Sequence, residues 1–191
     1  MWWVELLNSI VALLESGAGG GGSSYESIAT ATGTGSSGNI TFSSIPATYT
    51  SLQIRINARD GAGTGTSNFA IQFNSDTGSN YTRHILRGDG STVTASGANS
   101  TSNISGTIMP LSNQTANVMG VTIIDIHDYA STTRNKTVRL FGGFDANGSG
   151  SIGLNSGLWM STSAINSITF LPAWTTWTST TTISLYGIKG A

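Results

Sequence analysis

Hydrophobic positions repeat with two different periods along this chain, and the change falls at a run of glycines. Over residues 1–16, Trp3, Leu6, Leu7, Ile10, Leu13 and Leu14 recur at steps of three and four, with Trp2 adjoining them. Glu5, Asn8, Ser9 and Ser16 lie off that stripe. This spacing predicts an amphipathic helix with one apolar face. Residues 17–24, Gly17-Ala18-Gly19-Gly20-Gly21-Gly22-Ser23-Ser24, have the composition of a flexible linker. From Tyr25 onward, apolar residues alternate with polar ones at the period of a strand.

The strand pattern is clearest in Leu52-Gln53-Ile54-Arg55-Ile56-Asn57-Ala58-Arg59, whose aliphatic side chains fall on one face. It recurs over 25–31, 39–42, 68–74 and 81–86, and the turn residues 74–80 make the last two a hairpin. Candidates at 104–109, 118–127, 136–144, 150–160, 164–171 and 181–188 complete a set of roughly nine to eleven strands. Residues 89–103, dominated by Ser, Thr, Ala, Gly and Asn, read as a long surface loop. Without a fixed long-range repeat, the expected fold is all-β: an antiparallel β-sandwich, jelly-roll-like, over 25–191, carrying the helix and linker in front of it.

The helical face demands a partner. Burying six such side chains at roughly 1.5–3 kcal/mol each outweighs what a helix of this length contributes alone, since helices under about 12–15 residues barely persist in isolation. A signal peptide would begin with positive charge, but no Lys or Arg precedes Arg55. A transmembrane helix needs about 20 apolar residues, and this stripe is interrupted by Glu5, Asn8 and Ser9. Packing against the β domain of the same chain and lying on a membrane surface are the remaining alternatives to packing on another molecule. The linker makes the intermolecular arrangement the expected one, without membrane insertion.

Composition narrows the function. Charged residues make up 9% of the chain, far below the roughly 25% of ordinary soluble domains, and Ser, Thr, Asn and Gly fill the difference. A polar, nearly uncharged surface suits an extracellular or virion-surface β protein. It suits a cytosolic enzyme poorly. Eight basic residues and a net charge of -1 supply no stripe for phosphate neutralisation, so nucleic acid is not an expected partner. With no cysteine, the fold rests on packing and hydrogen bonds without disulfides or thiolate metal sites. No export address is visible, and release within an assembled particle is the simpler route out of a host cell.

Particular segments add a resemblance. Tyr25-Glu26-Ser27-Ile28-Ala29-Thr30, Ile40-Thr41-Phe42-Ser43-Ser44-Ile45-Pro46-Ala47-Thr48-Tyr49, Leu52-Gln53-Ile54-Arg55, Asn74-Ser75-Asp76-Thr77-Gly78-Ser79-Asn80-Tyr81, Ile124-Asp125-Ile126-His127-Asp128-Tyr129 and Ser184-Leu185-Tyr186-Gly187-Ile188 together resemble a family of tailed-bacteriophage virion structural proteins. The resemblance runs from Tyr25 to the end of the chain. It implies a non-enzymatic particle component, a head decoration or tail appendage, in which the segment before the first strand is an interchangeable attachment device. It carries over no catalytic residue.

Candidate chemistry is sparse. Asp125, His127 and Asp128 stand within four residues, and in a strand Asp125 and His127 share a face while Asp128 points away. A metal or hydrolytic site would need a further converging group, and nothing in the sequence brings His84 near His127. Asp145-Ala146-Asn147-Gly148-Ser149 begins like a calcium loop but lacks its closing glutamate, and a hairpin turn explains it equally well. No catalytic residue, metal or cofactor is therefore expected. Trp159, Trp174 and Trp177 offer either core filling or a sugar-stacking face, with Trp174 and Trp177 as the possible ligand-binding pair.

The expected function is that of a virion structural protein made in the host cytoplasm and displayed on the particle exterior. Trp2, Trp3, Leu6, Leu7, Ile10, Leu13 and Leu14 would anchor it to other virion proteins or to sister chains, with a homotrimer as the expected oligomer. The alternative is a glycan-binding module at a tail-fibre tip, contacting a host surface glycan through Trp174, Trp177 and the 89–103 segment.

Overall fold

The computed structural model describes residues 24–174 and 176–190. The expected helix over 1–16, its anchor residues and the linker up to Ser23 lie outside the described residues.

Twelve strands follow one another: β1 (Tyr25–Thr32), β2 (Ile40–Phe42), β3 (Ser51–Ala58), β4 (Thr66–Phe73), β5 (Tyr81–Gly88), β6 (Val93–Thr101), β7 (Ile104–Pro110), β8 (Gly120–His127), β9 (Lys136–Asp145), β10 (Gly150–Trp159), β11 (Ile168–Leu171) and β12 (Thr182–Ile188). They form an eight-stranded sheet, in the order β1-β12-β3-β8-β9-β10-β5-β6, and a four-stranded sheet, β2-β11-β4-β7. Every pairing is antiparallel. No described residue is helical. The chain crosses repeatedly between the sheets, and only the β5–β6 hairpin and the β8-β9-β10 meander keep neighbours in sequence beside one another.

Alternation builds the core. In β3, Leu52, Ile54, Ile56 and Ala58 are buried while Arg55 and Asn57 face outward. The same rule sends Ile124 and Ile126 of β8, Val138 and Leu140 of β9, and Ile183 and Leu185 of β12 into one cluster. The small sheet closes that cluster with Phe69, Ile71, Phe73, Ile168 and Phe170, and β7 lies against β9 and β10. One face of the large sheet is thus a core wall, and no described residue forms a layer over the other.

Two buried cations hold connections in place. The guanidinium of Arg59 donates to Thr115 O at 2.7 Å, Val118 O at 3.0 Å, Gln114 O at 2.7 Å and Ser112 O at 3.1 Å. The β7–β8 loop therefore folds around one side chain whose fork geometry satisfies four carbonyls. Lys136 is fully buried and donates to Arg134 O and Thr162 O, and burial pushes its ammonium pKa down.

The 89–103 segment departs from expectation. Residues 93–101 form β6, the edge strand paired to β5, and nearly every side chain on it is exposed. A strand with water on both faces has no reason to alternate, so small polar residues conceal it. The loop shrinks to the tip of the hairpin, where Asp89 Oδ1 accepts from the backbone nitrogens of Ser91 and Thr92.

Candidate functional site

The outer face of the large sheet is the most distinctive surface of the molecule. Directly opposed residues of an antiparallel pair share a face, and here the register lines up apolar residues across successive strands. Ile123 of β8 opposes Phe141 of β9, Phe141 opposes Leu154 of β10, Leu154 opposes Leu86 of β5, and Leu86 opposes Ala95 of β6. The adjoining row runs Val121, Gly143, Ile152, Gly88, Val93. Seven of these side chains, Leu86, Val93, Val121, Ile123, Phe141, Ile152 and Leu154, are between 45% and 74% exposed. Among the described residues only Met160 and Trp174 are exposed large hydrophobics elsewhere. Contiguous apolar patches on the surface of soluble proteins are often functional.

The patch is also shaped. A groove of about 820 Å³ runs over Ile123, Phe141 and Ile152, with Asp89 and Gly90 of the β5–β6 turn and Asp145 and Ser149 of the β9–β10 turn at its rim. Glycine makes this possible. A Cβ on Gly143, which shares the outer face with Val121 and Ile152, would lie 2.0 Å from Ser151 O, and one on Gly142, on the core face opposite Thr122, would lie 2.3 Å from Val121 O. The three strands coil so closely at this point that no side chain fits, and Gly143 leaves a hollow between Val121 and Ile152. On the far side, Arg55 lies over the rings of Tyr25 and Tyr186 at 5.3 and 5.4 Å. That stack forms a ridge between the groove and the β1 edge.

The charged candidates are occupied in structural roles. Asp125 and His127 do share the outer face, but Asp125 Oδ1 accepts from Gln53 Nε2 at 2.9 Å and His127 Nδ1 lies 2.9 Å from Ser51 Oγ. Asp128 leaves the strand with φ of 52° and pairs with Arg134. His84 stands in the row Asp125, Arg139, Ser156, His84, three strands from Asp125. Among the described residues no three His, Cys, Asp or Glu side chains group as a metal site. Asp145 to Ser149 is a hairpin turn, in which Asp145 Oδ1 accepts from Asn147 N at 2.8 Å and Asn147 and Gly148 take positive φ.

The tryptophans separate. Trp177 is 1% exposed and packs on Phe69, with ring centroids 6.2 Å apart. It cannot serve as a sugar platform in this fold, because its indole is buried in the core against Phe69. Trp159 is buried beside Phe73 and Tyr81. Among the described tryptophans Trp174 alone is open, at 60% exposure. Its backbone nitrogen donates to Asp60 Oδ2 at 2.8 Å, and its indole lies over Gly63, where a Cβ would come within 2.5 Å of Nε1.

Alternation alone does not point to the apolar outer face, but the sequence holds a signal for it. Ile123-Ile124, Leu140-Phe141 and Ile85-Leu86 are adjacent apolar pairs inside strands, and a half-buried strand has no use for both members. Comparison with protein-family models, with curated proteins and with solved structures gives no match.

Proposed function

We propose that this chain is a non-enzymatic structural protein of a tailed-phage virion, attached through its N-terminal segment and displaying a jelly-roll-like β-sandwich on the particle exterior. The observation that carries this reading is the apolar row from Ile123 to Leu86 on an otherwise almost uncharged sandwich. Such a face on a domain with few charges is what a component packed among other protein surfaces needs. The resemblance of the segments from Tyr25 onward to virion structural proteins points the same way.

Immunogold labelling of particles purified from a lysate that contains the chain tests this reading. Gold on the particle surface is the expected result. A chain confined to the particle-free fraction contradicts it.

A second reading, glycan recognition, rests on one observation: Trp174 is exposed and backed by Gly63 and Asp60. A rigidly backed indole is a usable stacking surface for a sugar ring. Glycan-array binding that disappears in Trp174→Ala, with the fold intact, would support it.

A further inference from the structure

We infer that the outer face of the large sheet packs on the same face of a second copy of this chain, about a two-fold axis that runs across the strands between Phe141 and Gly143. This rests on the assembly role proposed for that face and names its partner.

Strand β9 is antisymmetric in charge about its middle. Arg139, Phe141, Gly143 and Asp145 take successive outward positions on it, each about 7 Å from the next. A half-turn about the midpoint of Phe141 and Gly143 exchanges the ends and exchanges the middle pair. Arg139 of one copy then meets Asp145 of the other, and the exposed ring of Phe141 meets the hollow that Gly143 leaves. Each contact occurs twice, as an isologous interface requires.

The neighbouring strands follow the same order. On β5, His84, Leu86 and Gly88 lead into the Asp89 turn, so Leu86 meets Gly88 and His84 meets that turn. On β10 the outward residues Leu154 and Ile152 exchange with one another. Knobs therefore meet glycines or aliphatics, the interdigitation that face-to-face sheets need at about 10 Å separation. Sheet twist carries more distant strands out of this register, so the match is tightest at β9 and β10.

Charge selects this axis over one running along the strands. That second arrangement sets the Arg139 and His84 edges of the two copies side by side, like the acidic turns, and sets glycine hollow against glycine hollow. Arg139 is open to a partner. Asp125, opposite it on β8, accepts from Gln53, and the ion pairs among the described residues are Arg134 with Asp128 and Lys189 with Glu26. Asp145 uses one oxygen on Asn147 N and keeps the other for Arg139. His84 can donate to a carboxylate whatever its charge.

Charge exchange in full-length chains tests the pairing. Arg139→Glu sets like charges together at both contacts of a self-pair, and so does Asp145→Lys. When the two variants are mixed, both contacts become attractive. Sedimentation velocity over a range of concentrations reads the dissociation constant, with each melting temperature recorded. The expected result is a wild-type dimer of twice the 19.7 kDa chain, at least tenfold weaker in each variant alone and recovered in the equimolar mixture. If Asp145→Lys loses its turn, Asp145→Asn keeps the acceptor for Asn147 N, and its mixture with Arg139→Glu should pair more tightly than Arg139→Glu alone. A wild-type monomer at every concentration overturns the proposal and leaves the face to the chain's own residues 1–16 or to a different protein. A dimer indifferent to both variants, or a mixture no tighter than its components, also overturns it. Arg139→Glu pairing with wild type more tightly than either pairs with itself overturns the choice of axis. Surface labelling of particles is independent of all these outcomes, so failure here leaves the particle reading to its own test.

Discussion

Trp159 Nε1 donates to Asp76 Oδ2 at 2.7 Å, tying the end of β10 to the turn between β4 and β5. Asn80 Nδ2 and the Gly78 backbone nitrogen donate to the same carboxylate. A single acidic side chain thereby organises the turn and fixes an indole that stacks on Tyr81, itself so buried that its hydroxyl pKa is pushed up to about 12.

Acid should therefore loosen this end of the sandwich. The Trp159 hydrogen bond first, then that from Asn80, hold the Asp76 carboxyl below its ordinary pKa against an opposing effect of burial, with a lesser contribution from Gly78. A depressed folded-state pKa contributes stability that is present above the unfolded value of about 3.9 and is lost as pH falls through the folded value. Asp76→Asn should cost about 1–2 kcal/mol at neutral pH and flatten the fall in stability below about pH 4. Urea unfolding of both proteins across that range is the check.

Arg59 should govern the β7–β8 loop. Replacing it with Met strands four carbonyls that it now satisfies, at an expected cost of about 2–4 kcal/mol. Arg59→Lys should recover only part of this, since an ammonium cannot fork to all four. Hydrogen exchange at Gln114 and Val118, whose amides bond within the loop, should accelerate in both variants and more in Met.

The glycine pair should tolerate nothing larger. Gly143→Ala places a methyl 2.0 Å from Ser151 O, and the strands must separate to admit it, costing about 2 kcal/mol or more. A substitution at Leu154, exposed on the same face, should change the melting temperature little. Thermal unfolding of the two variants separates the roles.

Trp174 and Trp177 should respond oppositely. Trp177→Ala empties part of the core and should destabilise by about 3–5 kcal/mol, which disqualifies it as a probe of binding. Trp174→Ala removes an exposed ring and should leave the melting temperature within a few degrees. A large loss of stability in Trp174→Ala would show that its seat over Gly63 is structural.

Much of the sandwich was legible because its strands are half-buried. Leu52, Ile54 and Ile56 alternate with Gln53, Arg55 and Asn57 for the reason the sequence suggests: one face meets the core and one meets water. The same logic failed for β6, where neither face is covered and Thr94 to Ser100 carry no period. It also passed over the outer row, whose alignment depends on the register of strands distant in sequence, such as Leu86 with Leu154. Trp177 illustrates a further limit. Its neighbourhood of Pro, Ala and Thr resembles a surface loop, yet its side chain is buried against Phe69, a residue distant in sequence.

The central claim is that the apolar outer face is an assembly surface. The most direct measurement is the solution mass of the full chain, by light scattering over a range of concentrations, beside Phe141→Glu/Leu154→Glu with its melting temperature recorded. A defined oligomer that the double variant reduces to a 19.7 kDa monomer, with the fold retained, is the expected result. An identical mass for the two proteins would contradict it.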